Sequence, residues 1–181
     1  MNEFIIENII ASASIAPSLD LESISKVLPD SVYNPDDVSV LKYHMNKPEV
    51  AILLFRNGDV FLMGGRSLEE YENIINIIRN ALSIAGITVN EKTEIKIYKL
   101  ISSKDLNKRI NLKEIYKKLK GEAYIVYKPE EFPGLICGLN EPKTVILLFD
   151  SGRMICTGNS VNDINAAFDY VINKLSCLRI I

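Results

Sequence analysis

Side chains able to do covalent or metal chemistry are few in these 181 residues. The single histidine, His44, sits in KYHMNK, and any Ser-His-Asp or Cys-His arrangement would have to use it. No GxSxG elbow accompanies it. The cysteines are Cys137, Cys156 and Cys177, an odd number with no CxxC pair, so neither a disulfide framework nor a zinc site is indicated. Each lies among apolar neighbours (LICGL, MICTG, LSCLR), which predicts a small buried hydrophobe. Gly64-Gly65 is too short to cradle a phosphate, and no Walker A or GxGxxG loop occurs. The expectation is a protein that is not an enzyme and carries neither metal nor cofactor.

The residues that do carry a signal are apolar. In Val50-Ala-Ile-Leu-Leu-Phe55 both parities of a strand are apolar, and the same holds in Thr144-Val-Ile-Leu-Leu-Phe149. One parity must meet covering helices. The other, Ala51, Leu53 and Phe55 with Val145, Leu147 and Phe149, then faces outward. An antiparallel sheet with one solvated face should alternate apolar and polar side chains. Its failure to do so, twice and at equivalent places, predicts an exposed apolar surface of the kind that binds something. Dimerisation through that face is the rival use.

An internal repeat supplies the elements that hold these strands. Tyr33–Arg66 aligns without a gap on Tyr127–Ser160 at a constant offset of 94 residues. Identical pairs include Tyr33/Tyr127, Pro35/Pro129, Asn46/Asn140, Pro48/Pro142, Gly58/Gly152 and the whole ILLF run. Upstream, ENIIASASIAPSLDLESISKVL aligns with YKLISSKDLNKRINLKEIYKKL at an offset of 91. The chain therefore reads as two copies of one subdomain, 1–90 and 91–181, suited to a pseudo-twofold arrangement.

Each copy reads as strand, helix, several strands, helix. Phe4–Ser14 predicts a long strand. Asp20 caps a helix over Leu21–Leu28, ended by Pro29. Leu41–Met45, Val50–Phe55 and Val60–Met63 predict strands, with Asn57-Gly58 as a tight hairpin. Ser67-Leu-Glu-Glu70 is a capping box opening a long helix. Tyr71, Ile74, Ile75, Ile78, Leu82 and Ala85 share its apolar face, and Gly86 stops it. The last helix repeats the pattern with Ile164, Ala167, Phe168, Val171 and Leu175. The class is α+β, with helices on one face of an antiparallel sheet.

Composition bounds the rest. The chain is 48% hydrophobic, ordinary for a globular protein. No apolar run approaches the roughly 18 residues of a membrane helix. MNEFIIENII carries Glu3 and Glu7 without a basic segment, so no secretory leader is expected. Net charge is −2, which on its face speaks against nucleic acid as a partner. The charge is uneven, however. Residues 1–90 hold six Lys/Arg and twelve Asp/Glu, and residues 91–181 hold fifteen and eleven.

PEEFPGLICGLNEPKTVILLFDSGRMICTG, with ENIIAS and LDLESI upstream, resembles the TATA-box-binding protein family of archaea and eukaryotes. The resemblance spans both repeats and is sharper in the second. It implies a pseudo-twofold saddle, one curved antiparallel sheet of about ten strands with four helices on its convex side. It also implies a general transcription factor that binds the minor groove of TATA-like DNA and recruits transcription factor B, with RNA polymerase an indirect partner. Minor-groove binders of this kind drive apolar wedges between base steps and kink the duplex.

Carried over position by position, the resemblance assigns two wedge phenylalanines per repeat. Phe132, Phe149 and Phe55 match, and Val38 stands where the fourth is usual. Asn8 matches a groove-contacting asparagine whose counterpart here is Lys99. Ile10 and Ile101 match apolar contacts. Thr157 matches a threonine that Met63 replaces in the first repeat. Leu53, Leu147, Phe61, Ile155 and Arg153 complete the residues expected to meet DNA. His44, Glu49 and Asp59 occupy places where Arg or Lys is common, and Gly138 does so in the second repeat, while Lys143 and Arg153 keep them basic. Glu130, Glu131, Pro133 and Gly134 match the stirrup gripped by transcription factor B. The alternative is a divergent paralogue that keeps protein partners but binds DNA weakly. When DNA is absent, the concave face also offers a surface for a homodimer. The short N-terminal extension suits an archaeal, nucleoid-associated cytoplasmic protein; a eukaryotic one would be nuclear. No membrane partner is expected.

Overall fold

A computed structural model describes residues 3–36, 39–121 and 124–181. Val38 lies outside the described residues. Helix starts follow their caps. The Asp20 side chain accepts from the backbone N–H groups of Glu22 and Ser23 at 3.1 and 3.4 Å, opening α1 (Leu21–Val27). Ser67 Oγ accepts from Glu70 N at 3.1 Å and opens α2 (Leu68–Ile84). Glu70 reaches back to Arg66 N at 2.7 Å, so the capping box forms with its return bond one residue early. Asn111 and Ser160 do the same for α3 (Leu112–Leu119) and α4 (Val161–Cys177), each at 3.1 Å.

The apolar stripes expected on α2 and α4 are buried, with one exception. Ala85 is exposed, because the helix ends at Ile84 and Ala85 is already its C-cap. Leu28 likewise caps α1 rather than belonging to it.

The strands are β1 (Ile5–Ser14), β2 (Val40–Asn46), β3 (Glu49–Phe55), β4 (Asp59–Met63), β5 (Ile95–Asp105), β6 (Tyr124–Val126), β7 (Leu135–Leu139), β8 (Thr144–Leu148) and β9 (Arg153–Gly158). That is nine among the described residues rather than about ten. The first copy reduces the equivalent of β6 to a single bridge, Val32 opposite Lys42.

Two compact units emerge. One is Asn8–Tyr98, and the other joins the chain's first seven residues to Lys99–Ile181. They are called here the first-repeat and second-repeat units, although β1 and β5 each contribute residues to both. In the first-repeat unit β2, β3, β4 and β1 pair in that order, all antiparallel. In the second-repeat unit the order is β5, β9, β8, β7, β6, again antiparallel.

The hairpins that set these registers depend on glycine. Gly58 has φ +87°, and a Cβ there would lie 1.7 Å from Ala16 O. Gly152 has φ +92°, with Lys108 O at 2.2 Å from such a Cβ. Both turns are left-handed and press on a neighbouring backbone, which only glycine tolerates.

Each core lies between sheet and helices. Val50, Ile52, Leu54, Val60 and Leu62 are fully buried with Ile74 and Ile78; Ile146, Leu148, Met154 and Cys156 are buried with Ile164 and Phe168. Each such aliphatic side chain is worth about 1.5–3 kcal/mol in transfer free energy. The cores differ at several positions, and the difference with most polar consequence is Tyr71. Tyr71 is fully buried, donates its hydroxyl hydrogen to Ile9 O and accepts from Gly65 N at 3.1 Å. Burial pushes its phenol up to about 12. Ile9 N also donates to Gly65 O at 2.8 Å, so this tyrosine and this bond fix β1 against the end of β4.

Candidate nucleic-acid interface

In the first-repeat unit the residues alternating with the core line up across the sheet. Ile10 stands opposite Met63, Met63 opposite Ala51, and Ala51 opposite His44. The next row runs Ser12, Phe61, Leu53, Lys42, and Phe55 stands opposite Val40. On β1, β3 and β4 their neighbours within the strand are buried, whereas Ile10, Met63, Ala51, Phe61, Leu53 and Phe55 remain partly open. The expected second apolar face is thus present in this unit and uncovered within it.

Its rings are connected. Phe55 and Phe61 meet edge to face at 5.6 Å between centroids, and Phe61 stacks on Tyr98 at 5.3 Å and 28°. Tyr98 is 54% exposed. Sequence reasoning missed it, although an aromatic in the alternating run IKIYKLI was a usable signal. Asn8 Oδ1 accepts from Gly64 N at 2.8 Å. That bond fixes the amide and leaves its NH₂ as the outward donor.

The second-repeat unit repeats the rows: Ile101, Thr157, Val145, Gly138, Tyr124, and then Ser103, Ile155, Leu147, Ile136, Val126. Phe132 and Phe149 meet edge to face at 5.9 Å. Gly134 is buried beneath them; a Cβ there would lie 2.6 Å from Phe132 Cε1 and 3.2 Å from Phe149 Cε1. Gly134 therefore belongs to the seat of the ring pair, while Glu130, Glu131 and Pro133 beside it are exposed. Lys128 Nζ pairs with Glu131 Oε1 at 3.1 Å, and the amides of Glu131 and Phe132 both donate to Lys128 O at 2.9 Å.

A polar cluster crosses this second face. Glu7 Oε1 accepts from Ser103 Oγ at 2.5 Å and from Arg153 at 3.1 Å. Arg153, expected to serve a phosphate, thus already holds a carboxylate. Lys99 Nζ donates to Asn159 Oδ1 at 2.8 Å, leaving further ammonium hydrogens for another acceptor. Lys143 is exposed beside Tyr124 and Val145 in an open cleft of about 280 Å³ that Thr157 also lines.

Among the described residues no group of three or more His, Cys, Asp or Glu could hold a metal. Burial pushes the Cys137 thiol up and the Cys156 thiol to about 12, so both stay protonated and inert. Cys177 departs from its expected burial and is exposed in the last turn of α4. Among the described residues no helix is long and apolar enough to cross a membrane.

Comparison with known proteins agrees with this geometry. The family model described as transcription factor TFIID, or TATA-binding protein, matches residues 3–84 and 94–178. The chain is 39% identical to the TATA-box-binding protein of Picrophilus torridus, over 87% of this chain and 85% of that one. It is 34% identical to TATA-box-binding protein 2 of Haloferax volcanii, over 97% and 95%. The solved structure of Methanococcus jannaschii TBP superimposes with a TM-score of 0.91 at 36% identity, covering 97% of this chain and 99% of that one. Two matched repeats, a shared fold and identities of this size over nearly the whole length place the chain in the TATA-box-binding protein family of general transcription initiation factors.

Proposed function

We propose that this chain lays the open faces of its two units against the minor groove of AT-rich promoter DNA, bends it, and recruits transcription factor B, with RNA polymerase following. The observation that carries the reading is the doubled apolar face, each copy holding a ring pair (Phe55 with Phe61, Phe132 with Phe149). Such faces offer nothing to the donor and acceptor pattern of a major groove, but they can lie close against a minor-groove floor that at A·T pairs carries no protruding amino group. Guanine's N2 amino group would meet Leu53, Leu147, Ile10 or Ile101 and be desolvated without a partner. Ring wedges unstack a base step at a cost of a few kcal/mol, least at flexible TA steps, so deformability supports the sequence preference. Asn8 and Lys99 supply donors to adenine N3 and thymine O2. Glu130, Glu131 and Pro133 offer an exposed acidic edge to transcription factor B. The protein works by binding, on the chromosome, without catalysis.

The test is an anisotropy titration of a TATA-like duplex against a scrambled one, with and without transcription factor B. We expect preference for the TATA-like duplex and tighter binding when the partner is added. Equal affinity for both duplexes, with the partner present, would contradict the reading.

A further inference from the structure

The position that precedes Asn8 in the first copy precedes Lys99 in the second, so Glu7 and Tyr98 are equivalent under the 91-residue offset. The two have opposite chemistry. Glu7 is engaged by Ser103 and Arg153. Tyr98 lies flat on Phe61 at 5.3 Å, with more than half its surface open. Phe61 belongs to the open face, since it stands between Ser12 and Leu53. The Tyr98 ring is therefore held on that face by stacking, and Phe55 packs edge to face against Phe61. Among the described residues nothing hydrogen-bonds the Tyr98 hydroxyl.

We infer that Tyr98 is a DNA-contacting residue that sets the A·T preference of the first-repeat half of the site. The inference rests on the minor-groove reading above. A stacked ring is a rigid support that costs little conformational entropy to immobilise, because its orientation is already fixed. Its hydroxyl is a donor as well as an acceptor. At an A·T or T·A pair the groove floor offers only adenine N3 and thymine O2, both acceptors, so the hydroxyl can donate to either. At a G·C pair the guanine amino group projects where the ring and hydroxyl would sit. The second-repeat unit has no such reader at the equivalent place, because Glu7 is an acceptor and is occupied.

The test uses the full chain and fluorescence anisotropy with a TATA-like duplex and a set of duplexes carrying single A·T to G·C changes stepped along the site. Tyr98→Phe keeps the stack and removes the hydroxyl. It is expected to weaken binding to the parent duplex by about threefold to tenfold, the worth of one hydrogen bond, and to flatten the G·C penalty at one or two neighbouring pairs. Tyr98→Ala is expected to weaken binding further. The thermal midpoint of Tyr98→Phe should stay that of the parent protein, since the side chain is largely open. A Tyr98→Phe protein with unchanged affinity and an unchanged penalty profile overturns the inference, and so does a loss of affinity spread evenly over every duplex. If the unaltered protein shows no TATA preference, the minor-groove reading fails first and this inference with it; Phe149→Ala in the same assay separates that case.

Discussion

The two repeat units share strand registers and differ in what they put on the open face. The first-repeat unit carries three connected rings, Phe55, Phe61 and Tyr98. The second carries one connected pair, Phe132 and Phe149, with the exposed Tyr124 apart from it, and a Glu7–Ser103–Arg153 cluster where the first has Tyr98 on Phe61. One backbone plan therefore holds two chemistries, one unit adapted to stacking and the other to charge. Counted by compact unit, Asn8–Tyr98 holds eight Lys/Arg against twelve Asp/Glu, and the rest of the chain thirteen against eleven. The polarity seen along the sequence survives but shrinks, because Glu3 and Glu7 belong to the more basic unit. On the proposed reading an overall −2 is no obstacle to DNA, since the basic excess sits with one unit and the open face of the other is largely apolar.

The largest effect expected from breaking this comparison is on stability. Tyr71 anchors the first-repeat core by a buried hydroxyl, whereas the second-repeat core uses the buried Ile164. Tyr71→Phe removes both hydrogen bonds and should cost about 1–3 kcal/mol in denaturant unfolding near neutral pH. The same residue makes an alkaline prediction. Its folded phenol lies near 12, above the ordinary 10, so the fold favours the neutral form. That contribution is fully present below pH 10 and is lost as pH rises toward 12, an increment on the order of 2 kcal/mol. Unfolding curves should show the parent protein losing stability over that window and Tyr71→Phe losing less. Equal pH dependence would break the account of this core.

A smaller effect is expected from Glu7→Gln. The change removes a carboxylate from the face of the second-repeat unit and releases Arg153 for a phosphate. Binding to a TATA-like duplex should tighten by about threefold, and the dependence of log K on log salt should steepen by about one ion. Binding that weakens would mean that Glu7 positions Arg153 rather than competing for it.

Much of this was legible in the sequence, for physical reasons. Apolar residues at both parities of VAILLF and TVILLF put one set in the core, and the burial of Val50, Ile52 and Leu54 leaves Ala51, Leu53 and Phe55 partly open. Short-range chemistry set the helix caps at Asp20 and Ser67. What was not legible is long-range. Glu7 and Arg153 are 146 residues apart, and no local pattern pairs them. Tyr98 hid because its strand residue aligns with a glutamate in the other copy, so the repeat gave no reason to place a ring there. Gly134 read as part of an exposed stirrup, and only packing shows that the rings of Phe132 and Phe149 close over it. The missing tenth strand is the single bridge at Val32, a pairing too short for any periodicity to show.

The central claim, that rings on these faces wedge open and bend the minor groove, is tested most directly by energy transfer between dyes at the two ends of a TATA-like duplex. Saturating amounts of the parent protein should raise the transfer as the ends approach. Phe149→Ala, measured at saturation so that weaker binding does not intrude, should raise it less. No change in transfer with the parent protein, or the same change with Phe149→Ala, would contradict the account.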